Sequence, residues 1–409
     1  MKLQLSAPSN KLLQAEARIT GSKSETNRLL LLQALYPNLK IENLSNSDDA
    51  VVMRKGLAIS KGEVDIHHAG TAMRFLTAYF ASQPDKEVVL TGSERMKERP
   101  IKILVDALRN LGADISYVGQ EGYPPLKIKG KKLVKNKVEL PANISSQYIS
   151  ALLLIAPSLK NGLEIHLIGK ITSVPYIKMT LGLLDQIGMA TAFDGQVVKV
   201  HPKEKVKSQT MVVESDWSAA SYFYSIAALA EVGSKITLSS YKKHSLQGDS
   251  VLAEIYRDFG VETYFDRNTI YLKKISNPQP ATLDLELSNA PDIAQTIAVT
   301  CLGLQMGCHL TGLHTLPIKE TDRLGAMKAE LEKFGAQVGI TNESLTLKPS
   351  AIGESNVSVD TYNDHRMAMA FAPLAMKTSF FVNDAEVVSK SYPDFWRDMA
   401  RLGLRIKEE

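Results

Sequence analysis

Six times along the chain, a short polar opening runs straight into a helix-length stretch that is rich in Ala and Leu and poor in charge. The openings are Ser22-Lys23-Ser24-Glu25-Thr26-Asn27-Arg28, Ala69-Gly70-Thr71-Ala72-Met73-Arg74, Ser145-Ser146-Gln147, Ser215-Asp216-Trp217-Ser218, Pro291-Asp292-Ile293-Ala294 and Asn363-Asp364-His365-Arg366. A helix that is apolar around most of its circumference must be covered on several sides, so each body is expected beneath a sheet. A second pattern alternates with the first: an amphipathic helix, a glycine suited to the left-handed residue that ends a helix, and at once a strand. It occurs at Gly112, Gly188, Gly260 and Gly335, with a weaker copy over Phe395 to Ile406. The glycines fall about 70 to 75 residues apart, too long for a simple solenoid and right for a compact α/β unit.

Six openings predict six such units, which exceed one core. Divided three and three, they give a domain over 21–213 and a second over 1–20 plus 214–409, with the switch near Val213. The return of residues 1–20 to the second half is an expectation that periodicity does not supply.

Composition narrows the chemistry. A chain of 409 residues with 44% hydrophobic and 22% charged content has the make-up of a globular protein of two or three domains. Its net charge of +4 provides no polyanion-binding excess, so no nucleic-acid partner is expected, whereas small anionic substrates need only a few placed cations. Cys301 and Cys308 sit in an apolar segment and read as small core residues. No pair of histidines has a metal-ligand spacing, and no metal is predicted. The start Met1-Lys2-Leu3-Gln4-Leu5-Ser6 lacks the apolar core of a signal peptide, and Ile149 to Pro157 is too short to cross a bilayer. A cytoplasmic protein without membrane association is the expectation.

Lys319-Glu320-Thr321-Asp322-Arg323 places four charges in five residues between a strand-and-loop segment and an amphipathic helix. Glu320, Thr321 and Asp322 suit a first helical turn. Lys319 and Arg323 do not, since cations beside a helix N-terminus are disfavoured unless an anion lies between them. The same reasoning applies to Lys23 and Arg28 around Ser24, to Arg99 before Pro100, to Arg366 and to Lys390. Gly70 lets backbone approach an anion with no β-carbon in the way, and Ser145, Ser146 and Gln147 offer neutral donors. Taken together, cations at helix mouths in most of the units point to substrates carrying phosphates and carboxylates, with Asp292 and Glu320 left to move protons.

Read in order from near the start to near the end, Gly21-Ser22-Lys23-Ser24 with Asn27-Arg28, Ala69 to Arg74, Arg95-Met96-Lys97-Glu98-Arg99-Pro100-Ile101, Ser145-Ser146-Gln147, Lys319 to Leu324 and Asp364 to Met369 closely resemble the enolpyruvyl transferase family, and within it the shikimate-pathway branch. The resemblance implies an α/β fold of two similar domains, each three repeats of a βαβαββ-type unit in an inside-out barrel, with an interdomain active-site cleft. It implies transfer of the enolpyruvyl group of phosphoenolpyruvate to the 5-hydroxyl of shikimate 3-phosphate by a monomer without metal or organic cofactor. By matching positions, Ser24 and Arg28 would hold the shikimate carboxylate, and Ser145, Ser146 and Ser173 its phosphate, with Lys23, Gln147, Asp292, Thr315 and Lys319 also at this substrate. Lys23, Gly70, Arg99, Gln147 and Lys390 would take the phosphoenolpyruvate phosphate, and Arg323 and Arg366 its carboxylate. Asp292 would be the base on the 5-hydroxyl, Lys319 a proton carrier, Glu320 the acid to the methylene carbon, and Lys23 a further catalytic cation.

Two departures stand out: His68 and Thr315 occupy positions where the family usually has Asn, which bears on substrate affinity more than on reaction type. Gly70 is where sensitive members accommodate glyphosate, so inhibition is an expectation here. The alternatives are transfer to UDP-N-acetylglucosamine, whose enzymes carry a reactive cysteine in the loop that here reads Arg95 to Pro100, and a non-catalytic paralogue that binds small anions.

Overall fold

The computed structural model describes residues 1–142, 145–172, 174–278, 281–353 and 357–409. The chain forms two compact units, Gly21–Val213, and Met1–Thr20 with Glu214–Glu409. Each of the six polar openings starts a helix. In the first unit these are α1 (Lys23–Leu35), α2 (Gly70–Ser82) and α3 (Ser146–Ile155). In the second they are α4 (Trp217–Leu229), α5 (Ala294–Gly303, led in by a 3-10 turn at Pro291–Ile293) and α6 (His365–Phe371).

In the unit Gly21–Val213, two four-stranded sheets repeat one topology. The strands Lys61–Asp65 and Glu87–Thr91 run parallel, joined through α2, and a hairpin of Asp114–Tyr117 with Leu126–Lys129 completes the sheet in the order 61–65, 87–91, 126–129, 114–117. Lys137–Pro141 and Leu163–Ile168, joined through α3, do the same with the hairpin Thr191–Asp194 and Val197–Val200. Parallel neighbours need a crossover, and the buried helix supplies it. The first repeat is shorter than a full βαβαββ unit: among the described residues, Leu39–Glu42 pairs in parallel with Gln209–Val212 alone, and the helix Asp48–Ala58 leads on without a hairpin. This is the repeat for which the sequence shows no glycine-ended helix.

The second unit holds three four-stranded sheets of the same order. The amino-terminal segment belongs to it because its two strands complete two of these sheets. Gln14–Ala17 runs parallel to Lys235–Ser239, and Leu3–Ser6 lies between Phe380–Val382 and Arg405–Glu408. Leu3–Ser6 is paired on both sides, Gln14–Ala17 forms the edge of its sheet, and Leu3 and Leu5 join the core cluster that contains Trp217 and Leu404.

Burial follows the apolar bodies. Every residue of α5, and every residue of α4 except Ser218, is buried. The hydroxyls on these two helices are paired with each other: Ser221 with Thr296 at 3.0 Å, and Thr300 donating to Ser225 at 2.8 Å. Such pairing removes the cost of unsatisfied polar groups in the core. The glycines that close the amphipathic helices all have positive φ, for example Gly112 at 108°. At Gly260 a β-carbon would also sit 2.0 Å from the Ser276 carbonyl oxygen. The amphipathic helix expected before Gly260 is reduced to the 3-10 turn Gly248–Val251 and one α-turn, Leu252–Ile255. The aromatic residues that follow are the reason: Tyr256 and Phe259 turn inward against each other at 4.9 Å, and the Tyr256 hydroxyl meets Thr300 at 3.0 Å. Cys301 and Cys308 are free and buried. Among the described residues, no helix is long and apolar enough to cross a membrane.

Candidate active site

The charged run that precedes the helix Arg323–Lys333 enters it through Asp322, whose side chain accepts from Leu324 N and Gly325 N, both at 3.2 Å. That cap leaves Lys319, Glu320 and Arg323 free to meet other elements. Arg323, 2% exposed, divides its forked donors among three carboxylates: Nε to Asp364 Oδ2 at 2.7 Å, Nη1 to Asp292 Oδ1 at 3.0 Å, and Nη2 to Glu320 Oε2 at 2.8 Å. Asp364 in turn caps α6 by accepting from Arg366 N at 2.9 Å. Arg366 reaches back to Asp292, through Nη1 to its carbonyl at 3.0 Å and through Nη2 to Oδ2 at 3.3 Å. Lys319 Nζ lies 3.7 Å from Asp292 Oδ1. Five of the site residues expected from the sequence, Asp292, Lys319, Glu320, Arg323 and Arg366, therefore form one connected cluster, built from the starts of α5, α6 and the helix Arg323–Lys333.

Electrostatics within this cluster are lopsided. Burial alone would raise the Asp292 carboxyl, but Arg366, Lys319 and Arg323 outweigh it and hold the group well below the usual carboxylate range. Burial lowers the Lys319 ammonium, and Asp292 offsets only part of that. Asp364, Glu320 and Asp292 together overcome the burial of Arg323 and fix its charge. Lys390 donates to the Asn363 carbonyl at 2.6 Å and to its side chain at 2.9 Å, just ahead of α6. The Thr315 hydroxyl oxygen is buried and has no hydrogen-bond partner among the described residues, so it has hydrogen-bonding capacity to spare.

In the unit Gly21–Val213, Lys23 opens α1 with Nζ 3.6 Å from Asp49 Oδ2. Arg28 is buried and held by neutral acceptors: Thr180 Oγ1 at 2.8 Å, Ser150 Oγ at 3.0 Å, the Ser24 carbonyl at 2.8 Å and the Tyr176 carbonyl at 3.4 Å. Burial brings its guanidinium down to about 10. Gly70 begins α2, and a β-carbon there would lie 2.6 Å from Arg99 Nη1, so the guanidinium rests directly against the glycine. Ser145 caps α3, accepting from Gln147 N at 3.4 Å, and Ser146 is the first residue of that helix. The Gln147 side chain donates to Thr71 Oγ1 at 3.3 Å, tying the starts of α2 and α3 together. Ser173 lies outside the described residues.

Acids other than the two expected to move protons also stand beside the helix-mouth cations: Asp49 beside Lys23, Asp364 beside Arg323, and the buried Asp249, which Ser218 links to Arg366. Arg74 was also passed over, although an arginine in an otherwise apolar helix is itself a signal. It donates to the Pro100 carbonyl at 2.9 Å, which also accepts from the Tyr148 hydroxyl at 2.5 Å, and so fixes the segment that carries Arg99.

Comparison with known proteins sets this geometry in context. The sequence profile of the family described as EPSP synthase (3-phosphoshikimate 1-carboxyvinyltransferase) matches residues 38–399. The chain is 45% identical to the 3-phosphoshikimate 1-carboxyvinyltransferase of Bacteroides fragilis (strain YCH46) over 412 residues, covering 100% of this chain and 99% of that protein. It is 35% identical to the protein of the same name from Pasteurella multocida (strain Pm70), covering 95% and 96%. Among solved structures, the EPSP synthase of Acinetobacter baumannii superposes with a TM-score of 0.82 at 19% identity, over 100% of both chains.

Proposed function

We propose, for a chain that belongs to the EPSP synthase (3-phosphoshikimate 1-carboxyvinyltransferase) family, transfer of the enolpyruvyl group of phosphoenolpyruvate to the 5-hydroxyl of shikimate 3-phosphate with release of phosphate, a step of the shikimate pathway toward chorismate and the aromatic amino acids. The observation that carries this reading is the joining of Asp292 and Glu320 through the single buried guanidinium of Arg323. Two carboxylates on one rigid mount can serve the two ends of an addition across a double bond.

In this reading the 5-hydroxyl oxygen attacks C2 of phosphoenolpyruvate while Glu320 delivers a proton to the methylene carbon, giving a tetrahedral intermediate. Loss of a proton from the new methyl group and departure of phosphate then restore the double bond. A carboxylate held as far into its ionised form as Asp292 orients the hydroxyl and accepts its proton only as C–O bond formation makes that proton acidic. Lys319, 3.7 Å away and lowered in proton affinity, is the carrier that relieves it. Arg366 and Arg323 take the phosphoenolpyruvate carboxylate. Lys23, Gly70, Arg99, Gln147 and Lys390 take the phosphate. Ser24, Arg28, Ser145, Ser146 and Ser173 hold shikimate 3-phosphate, and the spare capacity of Thr315 faces a substrate hydroxyl. The protein acts as a monomer in the cytoplasm, on small molecules and not on nucleic acid.

Phosphate release tests the reading. It is expected with phosphoenolpyruvate and shikimate 3-phosphate together; release with UDP-N-acetylglucosamine, or none with shikimate 3-phosphate, overturns it. Arg28→Lys removes the fork that Ser150 and Thr180 orient, so KM for shikimate 3-phosphate is expected to rise by about 10- to 100-fold with KM for phosphoenolpyruvate within about twofold. An equal rise in both would reassign Arg28. Gly70→Ala pushes a methyl group against Arg99 and is expected to raise KM for phosphoenolpyruvate about tenfold, leaving that for shikimate 3-phosphate unchanged. Glyphosate inhibition, measured alongside, should weaken in the same variant.

A further inference from the structure

The start of α4 carries a line of polar contacts that the proposed chemistry does not use. Ser218, the second residue of α4, accepts a hydrogen bond from Arg366 Nη2 at 3.3 Å and donates its own to Asp249 Oδ2. The same Nη2 reaches Asp292 Oδ2 at 3.3 Å. Asp249 therefore stands two hydrogen bonds behind the cation that meets Asp292 from the other side. It is 5% exposed, in the 3-10 turn Gly248–Val251.

The mount is specific. Gln247, immediately ahead of the turn, accepts from Trp217 N at 2.9 Å and donates to the Ser215 carbonyl at 2.9 Å, which bolts the turn to the first residues of α4. Ser245 accepts from Gln247 N at 3.0 Å and donates to Glu214 at 2.7 Å. The turn that carries Asp249 is thereby fixed to the start of α4, and its carboxylate is held against the Ser218 hydroxyl.

The charged groups facing Asp249 are Asp216, beside Ser218 at the start of α4, Asp292 from the turn before α5, and Arg366 from α6. Behind Asp292 stand Lys319, Arg323 and Glu320. Burial and the proximity of Asp292 push the Asp249 carboxyl up to about 7, with Arg366 and Ser218 pulling the other way. It thus changes charge near neutral pH, where Asp292, held well below the usual carboxylate range, does not.

We propose that Ser218 and Asp249 are positioning residues for Arg366, and that the charge on Asp249 sets how much of the Arg366 field is left for an anionic substrate. This rests on the reading that Arg366 meets the phosphoenolpyruvate carboxylate. With Asp249 protonated, one protein anion fewer draws on Arg366, which then attracts a substrate carboxylate more strongly. With Asp249 ionised, two protein anions share it, and an incoming anion binds less well.

The test is KM for phosphoenolpyruvate, with equilibrium binding measured alongside, between pH 6 and pH 8.5 in wild type, Asp249→Asn and Ser218→Ala. The ionisation of phosphoenolpyruvate itself is common to all three, so the ratio of variant to wild type is the readout. For Asp249→Asn the ratio is expected to fall by about three- to tenfold as pH rises through about 7, because only wild type gains the opposing charge. Ser218→Ala is expected to raise KM for phosphoenolpyruvate about fivefold, with KM for shikimate 3-phosphate unchanged. A ratio for Asp249→Asn that stays constant across this range, or a loss in Ser218→Ala shared equally by both substrates, overturns the inference while leaving the transferase reading intact. A wild type that neither turns over nor binds phosphoenolpyruvate sinks both.

Discussion

Glu320→Gln is expected to lower turnover by about 10²- to 10⁴-fold while leaving both KM values within about a factor of three. The substitution keeps the side-chain length and an oxygen that can accept from Arg323 Nη2, now 2.8 Å from Glu320 Oε2, so the cluster keeps its geometry. What goes is the ability to give a proton to carbon and take one back. Such a step cannot be supplied by Asp292, because three cations hold that group in its ionised form. Steady-state kinetics with both substrates decide the matter, supported by solvent deuterium appearing in the methylene group of recovered phosphoenolpyruvate. Wild type should show that exchange in the presence of shikimate 3-phosphate, and the variant should not. Normal turnover coupled to a large rise in KM would assign Glu320 to binding instead.

Arg323→Ala is expected to cost about 3–5 kcal/mol of stability, in addition to abolishing measurable transfer. Its guanidinium is 2% exposed and is the shared partner of Asp364, which is fully buried, and of Asp292 and Glu320. Removing it leaves like charges facing one another with little water to screen them. Urea unfolding at neutral pH should show the loss as a lower midpoint. The pH dependence has a definite sign. A carboxylate whose folded affinity for protons is depressed, as that of Asp292 is, contributes stability above its unfolded value of about 3.9 and loses it as pH falls through the folded one. Without Arg323 the Asp292 carboxyl takes up a proton more readily than in wild type, so the gap between the two proteins should narrow as the pH is lowered below about 4. A gap that is small at neutral pH, or one that widens in acid, would mean that Asp292 does not depend on Arg323 for its charge.

Much of this architecture could be read along the chain. Six polar openings before Ala- and Leu-rich bodies correspond to six buried helices, because a helix with no charged face has to be covered and its exposed start has to be capped. The five glycine-ended helices match the five four-stranded sheets, and the missing sixth marks the shortened first repeat. The helix before Gly260 was misjudged in extent because periodicity treats Tyr256 and Phe259 as one more turn of an apolar stripe. Packing of Tyr256 against Tyr224 at 5.1 Å takes the chain out of helix instead.

The candidate site was legible in a more limited way. Lys319, Glu320 and Arg323 announced themselves as adjacent charges at a helix mouth, and Asp292 and Arg366 as polar residues at the starts of apolar helices. Their partners did not. Arg323 meets Asp364 across 41 residues of sequence, and Arg366 meets Ser218 across 148. Asp249 looked like any acid in a loop until α4 and α6 brought Ser218 and Arg366 against it.

The sequence by itself determined the repeats, the buried helices, the helix mouths where charge gathers and the family to which the chain belongs, since each of these is written in residue type at short spacing. Only the tertiary structure decided which acid neutralises which cation and which acid keeps its proton near neutral pH. Local spacing follows from backbone geometry, whereas the charge of a buried group depends on burial and on neighbours a few ångströms away that lie far apart along the chain.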